Sequence, residues 1–384
     1  MTSGSRGMRL VVWLIVVAVL TALTGCGDFF RPEPNNGGGG GGGGGGGNTG
    51  NRAYVINATA NNVAGFTVGT GTLTAVPSSP LALGYAPAAA ATMPDNTFLY
   101  VAGPGAIYVY TINSDGSLTA ATGGAAVAIV NVSAIDISPD GNWLFALDLT
   151  TNAIDQFSIN RSTGALSSVA STPYSITNAV VVPRAIRVAP SGAFVFIALG
   201  TGGDLAFSFN TTTGVLAQVA QITLNSATTS DNALTVDSTT TFLYIARSGT
   251  NGGVAVYNIG AGGVLNSVSG SPFAAGQRPI SLVIDKTGAF IYAANQVDNT
   301  VSGYTIGTGG ALSALNGSPY ASGTQVGSLG ADSSGKYILA AAFGGSPDLS
   351  MYGFDAATAG KLNLVTSTAT GTAPTGAIGV AMTH

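Results

Sequence analysis

Few residues of this sequence could carry chemistry, and most of those are arginines and aspartates. The 384 residues include one His (His384), one Cys (Cys26) and one Glu (Glu33). A histidine-based triad, a zinc site with two histidines and the Gly-x-Ser-x-Gly nucleophile turn are therefore absent. Acid or base work would fall to Asp, with Asp231 and Asp148 as the candidates. Arg184, Arg247 and Arg278 could grip carboxylate or phosphate oxygens through charge-assisted bonds, with Asn232 or Asn295 fixing the orientation of such a ligand. The bland alternative for the same side chains is solvated loop polarity with local turn bonding. The segment Gln296-Val297-Asp298-Asn299 offers a single carboxylate, far from the roughly six to eight oxygens calcium takes, so no metal or cofactor is expected.

Composition limits the partners. Only 7% of residues are charged and 57 are Gly, against about 25% and ~7% in ordinary globular chains. A helix-rich cytoplasmic enzyme does not fit. Net charge is −4 with a pI near 4.7 and the basic residues are scattered, so no positive field exists to hold nucleic acid. The single Cys excludes an internal disulfide.

The elements that must position these side chains come as repeats. From residue 52 onward an aromatic-x-aromatic pair recurs as Phe98/Tyr100, Trp143/Phe145, Phe194/Phe196, Phe242/Tyr244 and Phe290/Tyr292, with weaker copies at Arg52/Tyr54 and Tyr337/Leu339. Gly-x-Leu follows in every unit, at Gly71, Gly116, Gly164, Gly214, Gly263, Gly310 and Gly360. The units are 45 to 51 residues long and fill the chain to residue 384. Each reads as short β-rich runs separated by turns such as Pro139-Asp140-Gly141-Asn142, without helical periodicity. Four antiparallel strands per unit of this length predict a propeller blade. The expected fold is all-β: a seven-bladed β-propeller over residues 52–384. With strands lettered A to D from the centre outward, the array begins on a B strand and ends on an A-like segment at residues 377–382. A hybrid blade made from both ends of the chain is expected to close the ring. The aromatic stripe is read as packing between blades.

Ahead of the repeats, Arg6 and Arg9 precede an apolar run over residues 10–23. As a helix it would span about 21 Å, short of the ~30 Å hydrocarbon core. Residues 1–25 therefore read as a signal peptide. Its end, Leu23-Thr24-Gly25-Cys26, resembles the lipobox of bacterial lipoproteins. That resemblance implies cleavage before Cys26, acylation of its thiol and, with Gly27 rather than Asp next, an outer-membrane address in the bacterial cell envelope. The bilayer would then be a partner through Cys26. Residues 26–51, with eleven consecutive Gly at 37–47, read as a flexible tether of roughly 27 Å reach.

The repeats Phe290-Ile-Tyr-Ala-Ala-Asn295, Val301-Ser-Gly-Tyr304, Gly310-Ala-Leu312 and Ser318-Pro319 resemble the seven-bladed lactonase family, which includes 6-phosphogluconolactonases alongside non-catalytic surface-layer propellers with Tyr-Val-x-Asn repeats. The resemblance implies a channel mouth where His, Glu and Arg gather. Alternating strand directions put the starts of A strands and the B–C loops on one face, carrying Asn131, Arg184, Asp231, Asn232, Arg278 and Gln325, with Arg247 and Asn295 from B–C loops. The tether leaves from the opposite face, where His384 is also expected. With Glu33 in the tether, the expected function is a membrane-tethered binding or scaffold module that takes a small carboxylate or phosphate, or a surface partner. The alternative is a lactone hydrolase with a reduced catalytic set.

Overall fold

A computed structural model describes residues 50–384 apart from 177, 178, 225 and 374. The segments read as signal peptide, Cys26 and most of the tether lie outside the described residues. Seven antiparallel sheets of four or five strands make up the body, and the only helix among the described residues is a 3-10 turn at Ala261–Gly263. Six blades are formed by consecutive strands, with inner A strands at Ala89–Thr92, Val132–Ile137, Ala185–Val188, Ser230–Val236, Pro279–Ile284 and Val326–Ala331. The first blade combines the two ends of the array: Ala377–Met382 is its A strand and pairs antiparallel with Arg52–Asn57, Ala53 opposite Met382 and Val55 opposite Val380. Each A strand packs against the next around a closed ring.

The repeated residues lock neighbouring blades. Tyr54, Tyr100 and Tyr292 donate their hydroxyls to the carbonyls of Gly116, Gly164 and Gly360, the Gly-x-Leu glycine of the following blade, at 2.9, 2.8 and 2.6 Å. Those glycines are left-handed, with φ of 87°, 72° and 74°. A side chain on Gly360 would run into the Phe290 ring, and one on Gly214 into the Trp143 ring. Glycine is therefore required twice over, for its backbone conformation and for the close approach of an aromatic ring. The Leu of each Gly-x-Leu begins an outer D strand, as Leu118, Leu166 and Leu216 do.

Small polar side chains complete the ring. The Ser281 hydroxyl accepts from the amide of Leu329, Ser328 from Val380, and the Asp136 carboxylate from Val188, each reaching from one A strand to the next. Ring-facing N–H groups that would otherwise be bare sheet edges are thus satisfied. In the Ser-Pro motifs, Ser79, Ser271 and Ser318 accept from the C-strand amides of Gly65, Val256 and Gly303. The outer strand resumes after two of them, at Leu81–Ala82 and Tyr320–Ala321.

Both ends of the described chain meet on the side of the A–B turns. Asn51 donates to Asp332, and the Ser333 amide donates back to Asn51. His384 and Asn96 exchange two bonds, of 2.8 and 3.0 Å, at the turn of the second blade. The opposite face carries the B–C loops and the starts of the A strands.

Candidate functional site

The arginine-bearing mouth is built from the fourth to sixth blades. Asp231 lies at the entrance of an A strand and Arg247 at the end of the adjoining B strand, where sheet pairing sets them opposite each other. The Arg247 guanidinium grips Asp231 with both prongs, Nε to Oδ1 and Nη2 to Oδ2, each at 2.7 Å. Asp231 is fully buried. Beside it lies Asp204, the first residue of a C strand in the fourth blade, 1% exposed and within hydrogen-bonding reach of the Asp231 carboxyl. Burial, then the charge and bond of Asp231, push the Asp204 carboxyl well above the ordinary aspartate range, while the more distant Arg247 charge opposes this. Burial presses the Arg247 guanidinium toward neutrality, but the bond and charge of Asp231 outweigh it and leave its pKa raised. The cluster thus sets one guanidinium against two buried acidic groups, of which Asp204 holds its proton more tightly than a solvated aspartate would.

Arg278 opens the A strand of the sixth blade with φ of 55°. With Arg247, Gln277 and Asp298 it lines a polar cavity of about 610 Å3. Asp298 is exposed and accepts the Gln277 amide at 2.7 Å through Oδ2. Arg184 opens the A strand of the fourth blade and lines a second cavity, of about 340 Å3, together with Asn131. Its pKa is lowered by burial and then by the charge of Arg278, which places the two cations within electrostatic reach of each other.

The fold gives other expected site residues different work. Asn232, read as a ligand-orienting group, spends its amide hydrogens on Pro279 O and Ser248 Oγ and its oxygen on Ser230, tying the fifth blade to the sixth. Asn295, given the same role, is fully buried; it donates to Thr300 and Ser302 and accepts from Gly276. Asp148, read as a weak candidate base, accepts from the Thr150 amide and the Thr151 hydroxyl and so braces its own B–C loop. Arg247 reaches its cavity already bound to Asp231, while Arg278 lines the same cavity and Arg184 lines the other. Asp204, Gln277 and the site role of Asp298 were not found in the sequence. Asp204 had a signal: other C strands begin with Asn62, Ala106, Ala153, Gly253, Thr300 and Leu349, so it is the charged exception.

Among the described residues no three His, Cys, Asp or Glu side chains gather as a metal site would need. The single His sits on the face opposite the arginines, at the A–B turns.

A closed ring of seven antiparallel blades, with arginines at one mouth, is a seven-bladed β-propeller. Residues 48–230 match the family model described as "Lactonase, 7-bladed beta-propeller", and the later blades repeat the same unit. A candidate 6-phosphogluconolactonase of Bacteroides fragilis superposes with a TM-score of 0.68 at 15% identity, over 88% of this chain and 98% of its own. The periplasmic gluconolactonase of Pseudomonas aeruginosa gives 0.59 at 20% identity, over 70% and 84%. A functionally unknown protein of Desulfotomaculum acetoxidans gives 0.64 at 15%, over 87% and 99%. At these identities the structural likeness establishes the fold. No curated protein matches the sequence.

Proposed function

We propose that the protein is a lactone hydrolase that takes a small, anionic, polyhydroxylated lactone in the polar cavity between Arg247 and Arg278. The observation that carries this reading is the convergence of Arg278, Arg247 and one exposed carboxylate, Asp298, on a single cavity of about 610 Å3 at the mouth of a lactonase-type propeller. In the proposed reaction the guanidinium of Arg278 stabilises the oxyanion formed at the lactone carbonyl. Asp298 takes a proton from the attacking water through its free oxygen. The water oxygen bonds to the carbonyl carbon, the ring C–O bond breaks, and the proton passes to the departing alkoxide, leaving the open hydroxy acid.

A second reading, a binding or scaffold module without turnover, is favoured by the absence of His and Glu among the described residues of the mouth. One experiment separates the two: hydrolysis of gluconolactone and 6-phosphogluconolactone, with calorimetry of gluconate and 6-phosphogluconate, on the native chain, Arg278→Ala and Asp298→Asn. Hydrolysis abolished by Asp298→Asn with anion binding retained supports the hydrolase. Arg278-dependent binding without hydrolysis overturns it in favour of the binding module, and loss of both results removes the site.

The proposal extends to location. Cleavage before Cys26 and its acylation would hold the protein at a bacterial outer membrane with its mouth turned away, a geometry supported by the entry of Asn51 beside Asp332 on the A–B-turn side. Mass spectrometry of the mature N-terminus tests this, and an unmodified chain retaining residues 1–25 would overturn it.

A further inference from the structure

The two cavities at the mouth differ in chemistry. The larger one is lined by Thr228, Ser248, Gln277, Asp298 and the two arginines, a surface suited to a hydroxylated anion. The smaller cavity, about 340 Å3, has walls of Pro87, Pro104, Leu149, Val182 and Ile378, drawn from the first four blades. Its polar contribution is confined to Asn131, Ser133 and Arg184. Ser133 Oγ is buried and has no hydrogen-bond partner among the described residues.

A sugar acid is a poor occupant of such a space. Each hydroxyl buried against proline and aliphatic walls would lose its water without gaining a partner, at a cost of roughly 1–3 kcal/mol per group. An apolar ring or short alkyl chain gains by the same burial. The volume falls within the range of small-molecule sites, and a few convergent polar groups on an apolar lining are their usual composition. The loops that bring Asn131 and Val182 to this cavity also hold Ile129 and Val180 84% and 77% exposed, and Leu149 on its wall is 44% exposed.

We infer that this cavity is a second ligand site, selective for a compact monocarboxylate with an apolar body, its head on Arg184 and Ser133 and its body against Pro104, Leu149 and Ile378. Burial and the neighbouring charge of Arg278 both press on the Arg184 guanidinium, so an anionic head there relieves a like-charge approach. The inference is independent of lactone hydrolysis, since it concerns binding at another cavity and needs no turnover.

Calorimetry of the purified protein with phenylacetate, octanoate and gluconate, with product formation from gluconolactone followed separately, tests it. Phenylacetate is expected to displace octanoate and to bind with a negative heat-capacity change. Arg184→Met, which keeps the stem and removes the charge, is expected to weaken phenylacetate roughly 10- to 100-fold. Leu149→Ser, at a partly exposed position that the fold can spare, is expected to weaken phenylacetate and leave gluconate unchanged. Absence of phenylacetate binding at millimolar concentration in a protein that melts cooperatively would overturn the site, as would binding indifferent to both variants.

Discussion

Arg247 meets Asp231 fork to fork, with two bonds of 2.7 Å, and Asp204 lies buried against the same carboxyl group. One guanidinium therefore serves two acidic groups withdrawn from water. Removing it would strand them. Arg247→Met is expected to cost about 3–5 kcal/mol in urea unfolding. Adding Asp204→Asn should cost less than it does in the native chain, because both changes act on the same Asp231 carboxyl group. Strict additivity of the two changes would show that the groups do not act as a unit.

The same cluster predicts a pH dependence. Asp204 has its pKa raised above the ordinary 3.8, first by burial and then by Asp231, so the folded chain holds this proton more tightly than the unfolded chain. The stability this contributes is complete below the ordinary aspartate range and is lost as pH rises through the raised folded value, at no more than about 1.4 kcal/mol per pH unit for one proton. Asp204→Asn keeps a neutral side chain and should flatten that part of the profile. Unfolding midpoints measured from pH 4 upward would contradict this if native and variant curves ran parallel.

Gly214 and Gly288 separate two costs of replacing a glycine. Both are left-handed, with φ of 75° and 73°, but a Cβ on Gly288 meets nothing within 4 Å while one on Gly214 enters the Trp143 ring. Gly288→Ala is expected to cost about 1–2 kcal/mol from the backbone alone. Gly214→Ala should cost a further 1–3 kcal/mol or so from overpacking. Equal losses in thermal unfolding would mean that the aromatic-to-glycine contact does not hold the blades together.

Arg187 and Asp136 pair between the fourth and third blades at 3.8 Å, with the Asp136 carboxylate also accepting the Val188 amide at 2.7 Å. Both are largely buried, so either residue alone would leave a charge poorly compensated. Arg187→Met and Asp136→Asn should each cost a few kcal/mol, and a double-mutant cycle should give a smaller total than their sum. Asp136→Asn is expected to be the costlier change, since it also weakens the bond to Val188.

Deletion of residues 377–384 should destabilise the entire ring. It removes Ile378, Val380 and Met382, all buried, and exposes the edge of Arg52–Asn57. Lost apolar burial alone is on the order of 5 kcal/mol. A truncated protein melting at the native temperature would show that this strand does not hold the first blade to its neighbours.

The period of the chain is a local property, and so the sequence alone determined the number of blades and their strands. A segment such as Phe290–Asn295 carries its β character in its own aromatic and aliphatic residues, with a turn at Asp285-Lys286-Thr287-Gly288 before it. The placement of Arg184, Arg278 and Asp231 on one face also followed from counting alternating strand directions, because each reversal is set by a short turn. What each polar side chain bonds to was decided only by the ring. Tyr100 meets Gly164 from 64 residues away, Asn232 spends its amide on Pro279, and Asp204 is pressed against Asp231 from the neighbouring blade. Those partners lie across blade boundaries, where the angle between sheets sets which atoms come within about 3 Å. An asparagine committed to a backbone carbonyl and one open to a ligand look the same in sequence, and an aspartate keeps or loses its proton according to neighbours that only ring closure supplies.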